Sequence, residues 1–200
     1  PRRYSPDSYV VLDSNTQRNL ELVESLYDKK KRGSLLGVLD RTMTSMGGRM
    51  MRQWLLHPLV DIAAIQRRLD AVETLVDDTT ARKELREALK GMADIERLLS
   101  RLTARAGNAR DARALGDALG RVPALKAQAR ALAEGRGALA GILTELVEQL
   151  DPLEEIAARI EREIVDEPPL TIMEGDLLKD GWHEDLDRLR ALVRGGKDWI

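Results

Sequence analysis

Apolar residues return at helical spacing along almost the whole of this chain, and that period decides what it can build. Ile62, Ile65, Leu69, Val72 and Val76 fall on one helical face. Ile95, Leu98, Leu99 and Leu102 occupy i, i+3, i+4 and i+7 of another. The residues available for a core enforce the same choice. Phe is absent from the 200 residues and the aromatics are three Trp and three Tyr, so aliphatic side chains must fill the interior. Leu and Ala dominate and both favour helix. The expected fold is all-α, a multi-helix bundle of long amphipathic helices, with one small β-hairpin near residues 170–178.

Punctuation along the chain sets the elements. Residues 1–9 are polar, carry two prolines and read as an incoming connector; residues 10–200 read as one helical domain. Val10-Val11-Leu12 suits a strand or a buried lead-in. Asp13 and Ser14 are capping types before a helix carrying Leu20, Val23 and Leu26, which the charged run Lys29-Lys30-Lys31-Arg32-Gly33 should end. Ser34 should cap a short helix through Leu39, and Gly47-Gly48 should break the pattern before a helix from Arg49 to Leu56 that Pro58 ends. Asp61 and Asp94 should each start a helix, and 80–90 is another. Helices are expected over 110–133, with Pro123 as a kink or break, and over 138–149 and 152–165. At 170–178 the period changes: Leu170 to Met173 and Asp176 to Leu178 flank Glu174-Gly175, a hairpin pattern. A last helix should run from His183 to the end. The chain opens at Pro1 and ends inside a segment that still reads as helix, so a fragment of something longer is expected.

Charge and motifs exclude more than they offer. The 32 basic and 34 acidic residues are interleaved, giving a net charge of −2 rather than a nucleic-acid binder's basic excess. Without cysteine there is no disulfide or thiolate chemistry, and two histidines make a structural zinc site improbable on composition. No uncharged apolar run approaches membrane-spanning length and no signal peptide opens the chain, so a cytoplasmic location and no membrane contact are expected. Gly196-Lys197 is followed by Asp198 where a phosphate-binding loop needs Ser or Thr. Gly135-Arg136-Gly137-Ala138-Leu139-Ala140 matches a dinucleotide fingerprint in letters, but a helix rather than a strand precedes it. His183-Glu184 starts like a zinc-protease helix, yet Asp187 stands where the second His belongs, and His57 before Pro58 suits hydrogen bonding at a helix end. Glu154-Glu155 and Glu161/Glu163 alternate with Arg159 and Arg162, as on a solvated salt-bridged face. No catalytic, cofactor-binding or metal-binding residue emerges. Two basic features remain. Lys29 to Arg32 could touch phosphate or simply form a solvated loop. Arg97, Arg101 and Arg105, extended by Arg110 and Arg113, form a stripe that could face solvent, DNA or an acidic partner domain.

Local phrases carry a family resemblance. Leu12-Asp13-Ser14-Asn15-Thr16-Gln17-Arg18-Asn19-Leu20-Glu21-Leu22 resembles the segment that opens the core domain of MutS-type DNA mismatch-repair proteins. Ser34 to Thr44, Met46 to Arg49, Trp54 to Leu59, Asp94 to Arg101, Asp166 to Pro169, Glu184 to Asp187 and Gly196 to Trp199 follow in that family's order. The resemblance implies a non-catalytic core, or lever, segment whose last helix leads towards a clamp domain. It implies transmission of conformational change between the DNA clamp and an ATPase domain elsewhere in the full-length protein. ATP and Mg²⁺ would be cofactors of that parent and not of this segment. Implied partners are mismatched duplex DNA through the whole protein, the other domains of the same chain, a second copy, and a MutL-type repair protein. The family's mismatch-probing Phe-x-Glu motif cannot lie here, since there is no Phe. The alternatives are a DNA-contacting helical module using the Arg97–Arg113 stripe, or a helical adaptor unrelated to repair.

Overall fold

The computed structural model describes residues 8–197, so most of the expected connector and the end of the helix expected from His183 onward lie outside the described residues. In chain order the helices are α1 (Ser14–Asn19), α2 (Leu35–Leu39), α3 (Ser45–Leu56), α4 (Ile62–Asp77), α5 (Thr79–Leu89), α6 (Ile95–Thr103), α7 (Ala109–Gly120), α8 (Val122–Ala133), α9 (Gly141–Gln149), α10 (Glu154–Glu163) and α11 (Glu184–Lys197). Short 3-10 turns cover Gly137–Ala140 and Ile172–Glu174. No strand occurs among the described residues, which is the all-α half of the expectation. The chain sorts into two compact units, one of residues 1–94 and 123–151, the other of 95–122 and 152–200.

Capping side chains start the helices where the sequence places them. Asp13 accepts from the Thr16 amide at 2.6 Å, Ser34 from Gly37 at 3.2 Å and Asp61 from Ala63 at 3.1 Å. Each satisfies an amide that has no partner inside its own helix. Two elements depart from expectation near the start. The first helix stops at Asn19 instead of continuing through Leu26, because Glu21 turns left-handed (φ 48°). The carbonyls of Glu21 and Leu22 then accept from the Leu35 and Leu36 amides, at 2.9 and 2.8 Å, instead of from the next helical turn. Gly47 and Gly48 do not break α3 but sit in its first turn. A Cβ on Gly47 would lie 3.1 Å from Thr44 Oγ1, the oxygen that caps the helix at the Gly47 amide.

The hairpin expected over 170–178 is overturned. Thr171 donates its amide and hydroxyl to Glu174 Oε1, at 2.9 and 2.8 Å, closing a 3-10 turn over Ile172–Glu174. The residues that should form the second strand pair elsewhere, in an isolated bridge between Ile164 and Leu178 with Val165 N donating to Leu177 O at 3.1 Å. Pro168 and Pro169 supply no amide for a ladder, and Ile172 and Met173 are exposed with no sheet to cover them. The lead-in at Val10 to Leu12 likewise contributes only one bridge, Tyr9 with Leu59.

In the first unit, α4 packs on α5, α9 and the Gly137–Ala140 turn. It does so through Ala71 and Thr74, while Ile62, Leu69, Val72 and Val76 of the apolar stripe stay exposed. Thr74 is fully buried, its hydroxyl within 3.1 Å of the Leu139 carbonyl and 3.0 Å of its own helix's Asp70 carbonyl. Arg68 lies 3.9 Å over the Trp54 ring, a cation–π contact between α4 and α3. In the second unit α7 packs against α6 and α10. Its core is Leu115, Leu119 and Ala157, against which Ile95, Leu98 and Leu102 pack. Leu99 of the same stripe faces outward. Gly116 lets α10 come close: a Cβ there would sit 2.5 Å from Ile160 Cγ2.

Candidate functional site

The arginine stripe lies entirely in the second unit, and its members meet different fates. Arg97 and Arg101 project from α6, the helix whose partly buried Ile95, Leu98 and Leu102 pack against the core of this unit. Arg101 reaches Asp111 at 3.0 Å. Asp111 is buried because it also closes the start of α7. Its carboxylate accepts from the Asn108 amide at 3.0 Å while the Asn108 side chain accepts from the Asp111 amide, a reciprocal capping box. Arg105 is not on the helix. It is the left-handed residue (φ 56°) just beyond α6, with Ala106 N donating to Arg101 O and Arg105 N to Leu102 O, the Schellman pattern that usually ends in glycine. Its side chain is exposed and makes no ion pair among the described residues.

The remaining two hold a loop. Arg110 Nε donates to the Pro168 carbonyl at 2.6 Å. Arg113, largely buried, donates to Asp117 and to Asp166, each at 3.0 Å. Asn108 Nδ2 adds a bond to the Leu170 carbonyl at 3.3 Å. Lys179 also reaches Asp166, at 2.9 Å, and this ammonium with Arg113 beside it holds the Asp166 carboxyl below the usual range. Segment 166–170 is therefore fastened to α7 at several points. The five arginines do not present one continuous row: Arg101, Arg110 and Arg113 are engaged within the unit, and Arg105 is turned out of register. Asp111, which the sequence reading passes over, could have been found as the fourth residue of Asn108-Ala109-Arg110-Asp111, an N-cap box ahead of an Ala- and Leu-rich helix.

Other candidates take structural roles. Glu163 meets Arg159 at 3.0 Å and Arg162 at 3.6 Å, the salt-bridged face expected of that cluster. Gly135-Arg136-Gly137 joins α8 to a 3-10 turn, with Arg136 placed 3.4 Å from Asp78. His57 donates its backbone amide to Gln53 O at 2.9 Å, and its ring stands edge-on to Tyr9. His183 Nδ1 accepts from the Asp185 amide at 3.3 Å, at the start of α11. Among the described residues no group of His, Cys, Asp or Glu has the arrangement of a metal site. No helix there is long and apolar enough to cross a membrane.

Comparison with known proteins places these features in a context. Residues 15–194 match the family described as MutS domain III. The chain is 44% identical over 197 residues to the DNA mismatch repair protein MutS of Ruminiclostridium cellulolyticum, covering 98% of this chain and 22% of that protein. The MutS proteins of Geobacillus kaustophilus and Anaeromyxobacter sp. strain K are 45% and 46% identical, over 98% and 99% of this chain and 21% and 22% of their own lengths. The chain thus spans about a fifth of the length of these relatives.

Proposed function

The chain belongs to the MutS domain III family, a non-catalytic part of MutS, and from that premise we propose that it is the lever of a mismatch-recognition ATPase. In this reading it carries conformational change between a DNA clamp and an ATPase domain, both of which follow it in the full-length protein. ATP and Mg²⁺ then belong to the parent's nucleotide site. Mismatched duplex DNA, a second copy of the chain and a MutL-type protein are partners of the whole protein, which works in the cytoplasm. The observation that supports a mechanical part is the close approach of α7 and α10 at Gly116 and Ile160. Helices packed this tightly move as one body, and their interfaces change by discrete repacking rather than gradual bending.

The test uses the full-length protein with Gly116→Ala, which pushes α7 and α10 apart. The lever reading expects mismatch affinity and basal ATP hydrolysis near those of the parent, and a slower ATP-triggered change in DNA-bound state followed by stopped-flow fluorescence. An unchanged ATP-triggered step in a variant that has measurably lost stability would sink it.

A second reading is favoured by one observation, the exposed and unpaired Arg105. It makes Arg105, the outward-turned member of the Arg97–Arg113 stripe, a phosphate- or partner-contacting residue. Titration with duplex DNA at low and moderate salt separates the two. Tight binding with a steep salt slope that Arg105→Ala reduces would favour the contact role.

A further inference from the structure

The basic run that begins at Lys29 acquires neighbours in the fold that its sequence position does not reveal. In the first unit an open cleft of about 380 Å³ is lined by Arg18 of α1, Lys29 of the following loop and Arg52 of α3. Ser14 and Ser25 add hydroxyls to the same wall, Gln17, whose amide nitrogen donates to the Leu12 carbonyl at 2.8 Å, completes it with the apolar Val23 and Leu26, and Glu24 is its one carboxylate. Among the described residues none of the three cations makes an ion pair, and Glu24 does not come within pairing distance of them. This sets the cleft apart from the other cations of the loop, since Lys31 is tied to Asp40 and Lys30 lies 4.0 Å from Asp28.

The loop backbone is fixed rather than free. Ser25 N donates to Lys30 O at 2.9 Å, Lys29 N to Ser25 O at 3.1 Å, and the Asp28 carboxylate takes the Lys30 amide at 3.1 Å. Lys29 itself is left-handed, at φ 53°, as the residue that closes the turn bonded back to the Ser25 carbonyl, so the turn fixes the backbone from which its side chain leaves. Three unpaired cations converging on one concavity repel one another, and an anion that enters removes that repulsion. The lining carries two positive charges in excess, which matches a phosphate group, and two guanidinium forks suit its oxygens better than ammonium groups alone would. We propose that this cleft binds a phosphate group, supplied either by a DNA backbone or by a free polyphosphate. The site is separate from the arginine stripe, and its chemistry does not depend on the lever role.

The chain is titrated with sodium pyrophosphate at moderate salt while its backbone amides are followed by NMR. The expected result is saturable shifts confined to the neighbourhoods of Ser14–Arg18, Ser25–Lys29 and Arg52. Arg18→Gln, Lys29→Gln and Arg52→Gln should each weaken binding about tenfold, the loss of one charge-assisted contact. Glu24→Gln should strengthen it several-fold, a gain that a poorly folded variant cannot produce. A short DNA duplex is titrated in parallel: tighter binding than pyrophosphate at the same amides assigns the phosphate to a nucleic-acid backbone, and weaker binding assigns it to a free polyphosphate. Shifts scattered over every basic surface, no saturation, retention of binding in the triple Gln variant, or equal binding of a poly-glutamate peptide would each overturn the proposal.

Discussion

Arg105 ends α6 in a backbone conformation that costs an L-residue about 1–2 kcal/mol and glycine almost nothing. Arg105→Gly is therefore expected to stabilise the chain by about 0.5–1 kcal/mol, once the extra freedom of glycine in the unfolded state is subtracted. Urea denaturation gives the value, and a loss of stability would show that the arginine side chain does more than ride on the turn. A second residue answers to acid. Hydrogen bonding from Lys31 and from Thr42 holds the Asp40 carboxyl down at about 2, against an ordinary 3.8. A depressed pKa contributes stability that is complete above the unfolded value and is lost as pH falls through the folded one. Wild type should therefore melt higher than Asp40→Asn at about pH 5, and the gap should close as pH drops from about 4 to about 2, read from thermal melts across that range. Residues of this kind divide in how visible they are in the sequence. Asp13, Ser34 and Asp61 are legible as caps because the bond they make is local. Asp111 is legible as the box partner of Asn108 but not as the partner of Arg101, and Thr74 is not legible at all, because Arg101 and Leu139 are brought to them only by the packing of other elements.

At the scale of elements, period and caps locate nearly every helix, and the failures share a cause. The 170–178 segment has the letters of a hairpin, but a hairpin needs a surface to bury its apolar side, and none is offered to Ile172 and Met173. Glu174 instead finds the nearer amide and hydroxyl of Thr171. The stripe Ile62, Ile65, Leu69, Val72 and Val76 correctly marks a helix, yet it does not say which face is covered within this chain, and Ala71 and Thr74 are the ones buried. Likewise the arginine row assumes that α6 continues past Thr103, where the chain turns away. The packing of α7 on α10 gives the sharpest element-level expectation. Gly116→Ala gains about 1 kcal/mol in helix propensity but forces a methyl to within 2.5 Å of Ile160, a clash of about 1–3 kcal/mol, so the clash should win. Ile160→Leu removes the offending Cγ2 and should recover most of the loss in a double-mutant cycle, since the two side chains share one contact.

For the molecule as a whole, the resemblance read from phrases such as Leu12 to Leu22 named the family that residues 15–194 match, while composition alone stopped at a helical domain. The division into two units was not legible, because each unit is assembled from segments that are distant in sequence. Each has its own packing, α4 with α9 in one and α6, α7 and α10 in the other, so opening should follow those boundaries. Hydrogen exchange of Gly116→Ala should accelerate together in α6, α7 and α10 and leave α4 and α9 near their parent rates; uniform acceleration would mean that the chain opens as one piece. The interleaving of segments also bears on synthesis. Thr74 leaves the ribosome long before the Leu139 carbonyl that it bonds, and α7 before the α10 it packs on. At about 5–20 residues per second, the early helices wait for seconds with their inner faces uncovered. Nascent chains therefore keep these faces open to solvent until translation has passed α10, and a message truncated between α5 and α9 would yield a product that cannot finish either unit.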